Sequence, residues 1–303
     1  NSNSNSLNFD GSSDYVNCGN GSSLNILSSM TVELWMKPDT DLGVGEWDRL
    51  VHKHWQTGYF FGGKNGHVNA LAVVLSGDLN AALTPDNTVV VGTWQHVAFV
   101  FDDIANTIVI YKDGNAISTT SWYGTINGNS GSNFTISESN WESFDGTIDD
   151  VRIWNLARSQ SEIQANMNSG LSGNENGLVG YWNFNEGSGT TVNDLSSNDN
   201  DGTINGASWS TDVPSSSYVL SGTPGSSDGG LHDIILSATD NNGGVVTQSY
   251  TVAVSLHSLE ITGESGFRIM SSPVSGTIYS DLLEELWTQG AEGSDNANSN
   301  PNI

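Results

Sequence analysis

Short apolar runs separated by turn residues dominate the first half of the chain. Thr31–Met36, His96–Asp102 and Ile148–Trp154 are such runs, and Gly, Asn, Asp and Pro residues punctuate the segments between them. Many short strands with frequent turn signals are typical of an antiparallel sandwich or barrel. The pattern therefore predicts an all-β fold.

Two local patterns refine this prediction. Asp113-Gly114 stands between two apolar runs, and an Asp-Gly pair in that position favours a tight hairpin turn. The segment Arg158–Asn168 has apolar residues four apart, and Ser159 with Glu162 has the spacing of a helix capping box. We therefore expect a hairpin at the first position and a short helix on a sandwich edge at the second.

The turn-rich pattern continues to about residue 211 and then changes. Residues 177–209 carry two further strand runs, which cannot bury a core alone, so we assign them to the same sandwich. The expected division is a linker at 1–6, a sandwich at 7–211, a linker at 212–217, a partial β unit at 218–257 and an extension at 258–303. Within the extension, residues 280–288 have the pattern of a capped amphipathic helix.

Composition narrows the possible partners. Lys and Arg number 8 against 34 Asp and Glu, which gives a net charge of −26. Nucleic-acid binding and docking on an anionic membrane both need clustered basic residues, so neither is expected. No apolar run approaches the roughly 18 residues that cross a bilayer, so membrane insertion is not expected either. The single cysteine, Cys18, has no internal partner and is expected to pack as a small apolar residue.

Ordered sequence blocks between residues 7 and 210 resemble bacterial laminin-G/pentraxin-like domains, which have the concanavalin A-like fold of lectins and glucanases. The blocks are Leu7–Val16, Met30–Pro38, Gly92–Phe101, Ile110–Gly114, Phe144–Asn155 and Gly177–Gly187. The resemblance implies a two-sheet antiparallel jelly-roll sandwich, secretion to the cell surface or the extracellular space, and binding rather than chemistry. Residues 218–255 resemble the second half of a cadherin-like or immunoglobulin-like repeat of secreted surface proteins.

Calcium is the cofactor that the sequence favours, because Ca²⁺ takes six to eight hard oxygen ligands and the loops are rich in them. The first candidate site joins the opening and closing strands of the sandwich, with Asp10 and the Gly11 carbonyl facing Asp149 and Asp150. Adjacent strand residues point to opposite faces, so at most one of these two aspartates is expected to contribute its side chain. The alternative is that Asp10 only makes a turn and that Asp150 pairs with Arg152 or solvent.

A second candidate calcium site is the loop after residue 193, where oxygen-bearing side chains alternate. Asp194, Asn198 and Asn200 are its proposed ligands, and Gly202 allows a sharp turn. The loop lacks the glutamate that completes an EF-type site. An Asx-rich turn without metal is the alternative.

A third candidate follows from the resemblance to pentraxins, whose matching segment supplies acidic and amide ligands to the calcium that binds ligand. Glu138, Asn140 and Glu142 occupy that segment here. The partner segment, His52–Gln56, lacks the acid and amide pair that pentraxins carry. The pair His52 and His54 could instead belong to a zinc site, although a surface pair is the simpler interpretation.

Glycan binding needs exposed aromatic faces beside amides and carboxylates. Four tryptophans lie inside strand patterns and are expected in the core: Trp35, Trp94, Trp154 and Trp182. The candidate ligand-binding residues lie in polar, turn-like stretches, and they are Trp47, Trp55, Trp122, Tyr123 and Trp141, with Glu142 beside the last. The alternative is that half of these aromatic residues cap the edges of the sandwich.

Three functions are consistent with these features. The favoured one is a non-catalytic, calcium-stabilised module that binds a glycan or an extracellular polysaccharide. The second is a structural spacer or adhesion segment with protein partners. The third is a polysaccharide hydrolase or lyase, but the Glu-x-Asp-x-x-Glu motif of laminarinase-like relatives is absent, so no catalytic residue is assigned.

Overall fold

The computed structural model describes residues 4–128, 131–138, 142–214, 230–239, 245–254 and 259–262. The chain divides into two compact units, Asn1–Ser216 and Ser217–Ile303, and each is described by itself. The first unit consists of two antiparallel eight-stranded sheets. The predicted all-β, two-sheet sandwich is therefore confirmed.

Nineteen strands are present in the described residues. The strands of the first sheet are β1 (Ser6–Asp10), β3 (Met30–Pro38), β8 (Gln95–Asp102), β9 (Thr107–Lys112), β10 (Asn115–Ser121), β12 (Asp145–Trp154), β13 (Leu178–Trp182) and β16 (Ser208–Ser210). The strands of the second sheet are β2 (Tyr15–Asn17), β4 (Arg49–Lys53), β5 (Tyr59–Gly63), β6 (Leu71–Leu75), β7 (Asp78–Leu83), β11 (Thr135–Ser137), β14 (Thr191–Val192) and β15 (Gly202–Asn205). A separate third sheet contains β17 (Gly230–Thr239), β18 (Val245–Val254) and β19 (Leu259–Thr262).

Strand order shows which parts of the chain build the sandwich. The first sheet runs β10-β9-β8-β3-β12-β1-β16, with β13 also paired to β12, and the second runs β14-β15-β2-β11-β4-β5-β6-β7. Opening strand β1 pairs with β12 in a register that sets Leu7 opposite Ile148. Residues 178–210 contribute strands to both sheets, because β13 and β16 join the first and β14 and β15 join the second.

The core lies between the two sheets and is rich in aromatic rings. Phe61 of the second sheet meets Phe99 of the first edge-to-face, with ring centroids 5.3 Å apart. Trp182 stacks on Phe134 at 5.4 Å and is fully buried, as predicted. Such cross-sheet contacts bury apolar area and fix the distance between the sheets.

Burial differs among the other three tryptophans that were expected in the core. Trp154 is fully buried and packs in a second hydrophobic cluster, so its prediction is confirmed. Trp35 and Trp94 are only half-buried, and their indole N–H groups donate to Met167 O at 2.8 Å and to Asp212 Oδ1 at 2.9 Å. The core prediction was wrong for these two.

The predicted hairpin and helix both form. Asp113 and Gly114 have φ values of +49° and +73°, as the favoured two-residue hairpin turn requires. Helix α1 (Gln160–Asn166) begins with the predicted capping box, in which Ser159 and Glu162 bond reciprocally. Ile163 packs against residues of β8 and β9, so the helix lies on a face of the first sheet and not on an edge. No helix in the described ranges is long and apolar enough to cross a membrane.

The second unit contains the third sheet, in the order β17-β18-β19. Its two long strands pair over ten residues, from Gly230 opposite Val254 to Thr239 opposite Val245. Both strands lie within the partial β unit expected at 218–257. The helix expected at 280–288 lies outside the described residues.

One buried cation lies beneath the second sheet. Lys53 on β4 is 1% exposed, and its Nζ donates to the carbonyl of Ser132 at 2.8 Å. Burial lowers the pKa of this amine to about 8. Because the unfolded chain holds the proton up to about pH 10.4, the buried charge opposes folding at neutral pH.

Replacing the buried amine is therefore expected to stabilise the sandwich. Lys53→Met should raise the free energy of unfolding at pH 7 by about 1–3 kcal/mol, measured by urea denaturation. In the wild type the unfolded state binds more protons between pH 8 and 10.4, so stability should rise from pH 7 to pH 9.5. A variant that is less stable than wild type at pH 7, with the same pH slope, would contradict this account.

Candidate functional site

A pocket of about 300 Å³ opens on the second sheet. It is called the aromatic pocket here, and it is lined by Trp47, Arg49, Trp55, Phe60, Val74, Leu79 and Glu142. Its size lies at the lower end of the range typical of ligand pockets, about 300–1,000 Å³. Four strands, β4 to β7, supply the lining residues Arg49, Phe60, Val74 and Leu79.

The alternation of strand side chains builds the pocket floor. Phe60 of β5 pairs with Val74 of β6, and the next pair along is Phe61 with Val73. Phe61 and Val73 belong to the sandwich core, so Phe60 and Val74 project from the opposite face of the sheet. The sheet therefore presents an apolar floor on its outer side.

Two tryptophans line the pocket together with this apolar floor. Trp47 meets Phe60 edge-to-face at 5.5 Å between ring centroids, and Trp55 is 40% exposed. The ammonium of Lys64 lies 6.0 Å from the Trp47 ring. Trp47, Trp55 and Glu142, three of the predicted ligand-binding residues, line this pocket together.

Arg49 organises the charged side of the pocket. Its two terminal nitrogens donate to different carboxylates, Nη1 to Glu138 at 2.9 Å and Nη2 to Glu142. The Arg49 backbone N–H also donates to the carbonyl of Glu142 at 3.0 Å. The guanidinium lies 5.7 Å from the centroid of Phe60, so it joins the apolar floor to the acidic wall.

His52 connects this ion-pair cluster to Trp55. Its Nδ1 lies 2.6 Å from a Glu138 oxygen, whereas its Nε2 faces the Trp55 backbone N–H at 3.1 Å and Arg49 Nη1 at 3.2 Å. Both groups facing Nε2 are donors, so the ring is the neutral tautomer with its proton on Nδ1. Burial is the main cause that lowers the pKa of His52, and the charge of Arg49 lowers it further.

Other candidate ligand-binding residues do not join the pocket. Trp122 is 8% exposed, packs edge-to-face on Phe101 at 5.1 Å and donates its indole N–H to Asp78, so its assignment as a platform was wrong. Tyr123 is 79% exposed and is not among the pocket residues. Trp141 lies outside the described residues.

Sequence reasoning missed four pocket residues, Arg49, Phe60, Val74 and Leu79. Arg49 stands alone in a run of mixed polarity, and nothing local indicates that two distant glutamates reach it. Phe60 belongs to the run Tyr59–Gly63, which reads as fully buried. Period-two counting from Phe61 would have placed Phe60 on the outer face.

The first predicted calcium site does not form as expected. Asp10 lies opposite Asp145 in the β1–β12 register, four residues before Asp149. Asp10 accepts the Ser12 N–H at 3.0 Å in a turn. Asp150 accepts from Arg152 Nη2 at 2.8 Å, which is the alternative that the sequence left open.

The second predicted site is a turn held by its own hydrogen bonds. The Asp194 carboxylate accepts backbone N–H groups from Tyr181, Ser196 and Asn200, each at 2.9 Å. Asn200 turns its amide toward Asp194 Oδ2 and the Val179 carbonyl. These contacts match the Asx-rich turn that was the alternative.

At the third predicted site, Glu138 is bound to Arg49 and His52, and Asn140 lies outside the described residues. Within the described part of the chain, no three His, Cys, Asp or Glu side chains are arranged to hold a metal ion.

A second concave region is acidic. It has a volume of about 340 Å³ and is called the acidic pocket, and its lining includes Asp10, Gly11, Asp41, Glu46, Asp48 and Asp145. Asp48 is buried, and Gly43 N–H donates to it at 2.5 Å. Burial, with the charges of Glu46 and Asp145, raises the pKa of Asp48 to about 6.

Comparison with known families matches the first unit. The model of a family described as the concanavalin A-like lectin/glucanases superfamily matches residues 10–164, just over half of the chain. A search of curated proteins returned no match.

The chain is similar to several solved structures. A Bacteroides ovatus protein classed as carbohydrate binding has a TM-score of 0.53 and 20% identity, over 69% of this chain and 60% of that protein. A pentraxin from Limulus polyphemus has a TM-score of 0.42 and 15% identity, over 54% and 81% of the two chains. Domain 4 of an extracellular arabinanase from Geobacillus stearothermophilus, solved with arabinotriose, has a TM-score of 0.40 and 18% identity, over 53% and 75%.

Protonation of His52 is expected to disturb Trp55. As the pH falls below about 6.5, where an ordinary histidine titrates, a proton on Nε2 would face the Trp55 N–H and Arg49. Because the folded-state pKa is lowered, stability linked to His52 is present at neutral pH and lost on acidification. Tryptophan fluorescence should change with a midpoint below that of an ordinary histidine.

Substitutions test whether this fluorescence change comes from the contact between His52 and Trp55. Trp55→Phe should remove most of the fluorescence change, whereas His67→Gln, which alters a histidine bonded to Asp86, should leave it intact. A transition that survives in a His52→Gln variant would count against the proposed contact.

Proposed function

The chain belongs to the concanavalin A-like lectin/glucanase superfamily, and on that basis we propose that its sandwich is a non-catalytic carbohydrate-binding module. The aromatic pocket is the proposed binding site. The protein from Bacteroides ovatus supports the class of function through its fold and its name, although 20% identity transfers no particular sugar.

The observation that carries the proposal is that Trp47 and Trp55 line one pocket beside a guanidinium and a carboxylate. Sugars offer C–H faces, which pack on aromatic rings, and hydroxyl edges, which need hydrogen-bond donors and acceptors. The exposed Trp55 face and the half-buried Trp47 supply the apolar contact, and Arg49 with Glu142 supplies the polar one. Ligand pockets typically combine an apolar lining with a few placed polar groups in this way.

The same ion pairs support binding rather than hydrolysis. A glycosidase needs one carboxyl group that holds a proton for the leaving group and a second that is ionised. Glu138 and Glu142 both pair with Arg49, so each carboxylate is already held by a cation of the protein. This arrangement favours a fixed polar wall for binding over a free pair of catalytic carboxyl groups.

Extracellular location is part of the proposal. Its support is the acidic composition and the matched arabinanase, which is described as extracellular. The partner proposed here is an extracellular polysaccharide.

Removing the tryptophans should abolish binding without unfolding the sandwich. Trp47→Ala and Trp55→Ala are each expected to weaken retention of a bound polysaccharide at least about tenfold, because a central aromatic contact contributes about 1.4 kcal/mol or more. Affinity electrophoresis against a panel of polysaccharides, followed by calorimetry on those retained, measures the loss.

Tyr123→Ala is the matched control, since Tyr123 is an exposed aromatic residue of this unit that is not part of the pocket lining. It should bind like the wild type. Equal losses in Tyr123→Ala and Trp55→Ala, or none in either tryptophan variant, would refute the proposed site.

Calcium is retained as a proposal for the stability of the fold. Its support is the acidic pocket, whose carboxylates and carbonyls are the hard oxygens that Ca²⁺ prefers. Asp10, Asp48 and Asp145 would supply side-chain ligands, although their side chains would have to turn toward one another. A bound cation would offset both the burial and the repulsion from Glu46 and Asp145 that raise the pKa of Asp48.

The Asp48→Asn variant distinguishes the calcium-bound protein from the calcium-free protein. In chelator the variant should melt at a higher temperature than wild type at pH 7, because Asp48 has a raised folded-state pKa and its ionised form opposes folding above about pH 4. In millimolar calcium the wild type should gain melting temperature and the variant should not. Identical wild-type melting in calcium and in chelator would remove calcium from the account.

A further inference from the structure

Charge around the aromatic pocket restricts its ligand more than pocket shape does. Resting on the proposed function, we infer that this pocket selects uncharged glycans and rejects those that carry carboxylate or sulfate groups. Specific pairing of an acidic sugar needs a cation whose donors are available to it.

Arg49 does not meet that requirement. Each of its terminal nitrogens already donates to a separate carboxylate, Glu138 on one side and Glu142 on the other. A guanidinium has five N–H donors, so a single N–H can still bond a sugar hydroxyl, but a bidentate grip on a sugar acid needs two N–H groups aimed at one carboxylate. An acidic sugar would therefore compete with two carboxylates that are already bound to this cation.

Among the described residues, Lys64 is the other cation that an aromatic contact places beside the pocket: it donates to Asn80 Oδ1 at 2.5 Å, and its ammonium lies 6.0 Å from the Trp47 ring. Lys53, also on β4, is buried, bonded to the Ser132 carbonyl and not part of the pocket lining. Residues 139–141, which adjoin Glu142, are Ser-Asn-Trp and add no cation.

The local charge therefore favours neutral ligands. Arg49 contributes one positive charge against one negative charge each from Glu138 and Glu142, and His52 is neutral, so these four side chains are net negative. Lys64, whose ammonium lies 6.0 Å from the Trp47 ring, offsets that charge on the aromatic side, so the pocket offers no net positive charge to an acidic sugar. The chain as a whole carries −26 and adds to the repulsion. A sugar hydroxyl has no such difficulty, because it donates to a carboxylate oxygen and accepts from a guanidinium N–H.

A matched pair of polysaccharides tests the selection. Polygalacturonate and its methyl ester share a backbone and differ in charge, and they extend a panel of neutral arabinan, xylan, β-glucan and galactomannan with acidic alginate and chondroitin sulfate. At 0.15 M salt, which screens distant charges, every retained polymer should be neutral. Acidic polymers should bind at least tenfold more weakly than the best neutral one.

Fluorescence quenching tests the pocket charge without any sugar. Iodide is an anion and acrylamide is neutral, and the signal of the pocket is the difference between wild type and the Trp47→Phe/Trp55→Phe variant. Acrylamide should quench that signal at least several-fold more strongly than iodide does. Glu138→Gln/Glu142→Gln should raise iodide quenching several-fold, whereas Asp86→Asn, an exposed acid bonded to His67, should not.

The results distinguish a failure of the charge inference from a failure of the proposed carbohydrate-binding function. Retention of alginate, chondroitin sulfate or polygalacturonate at or above the best neutral polymer would overturn the charge inference. Iodide quenching equal in the wild type and the double-glutamine variant would overturn it too. Failure of every polymer to bind would contradict the proposed function, and the iodide comparison would still decide the sign of the pocket.

Discussion

The candidate site depends on the ion pairs that Arg49 makes with Glu138 and Glu142. Arg49 begins β4 on the second sheet, whereas Glu138 and Glu142 lie between β11 and β12. The Arg49 side chain bonds to both glutamates and its backbone N–H donates to Glu142, so these two residues are held against the outer face of the sheet. Without that link, the acidic wall of the aromatic pocket would not stand beside its apolar floor.

The same link explains why the pocket differs from its surroundings. Phe60 and Val74 would otherwise be apolar residues on an exposed sheet face, and here Trp47 and the guanidinium cover them. His52 carries the arrangement one step further, since its Nε2 accepts from the backbone of Trp55. The Arg49 ion pairs, the His52 ring and the backbone of Trp55 are therefore connected, and the exposed part of this cluster is the Trp55 side chain.

The sequence predicted the fold well because its signals were local or periodic. The Asp113-Gly114 turn, the capping box at Ser159 and the short apolar runs all act within a few residues. The tryptophans were harder, because a half-buried ring and a core ring share the same strand pattern. Trp35 and Trp94 differ from Trp182 only in the distant acceptors that their indole groups reach.

The candidate site was predicted in part. The position of Trp47, Trp55 and Glu142 in polar, turn-like stretches made them candidates, but only the fold brings Arg49 against two glutamates about 90 residues away. A long-range ion pair leaves no periodic signal in one sequence. The predicted Asp10 and Asp149 site failed for a related reason, since a register of one strand against another decides which carboxylates meet.

A fluorotryptophan NMR titration tests the central claim most directly. The protein, labelled with 5-fluorotryptophan, would be titrated with neutral oligosaccharides while the resonances of Trp47, Trp55, Trp94 and Trp182 are followed. Binding in the aromatic pocket predicts saturable shifts at Trp47 and Trp55, with Trp94 and Trp182 unchanged. Shifts confined to Trp94, or none at Trp47 and Trp55 with any neutral oligosaccharide, would contradict it.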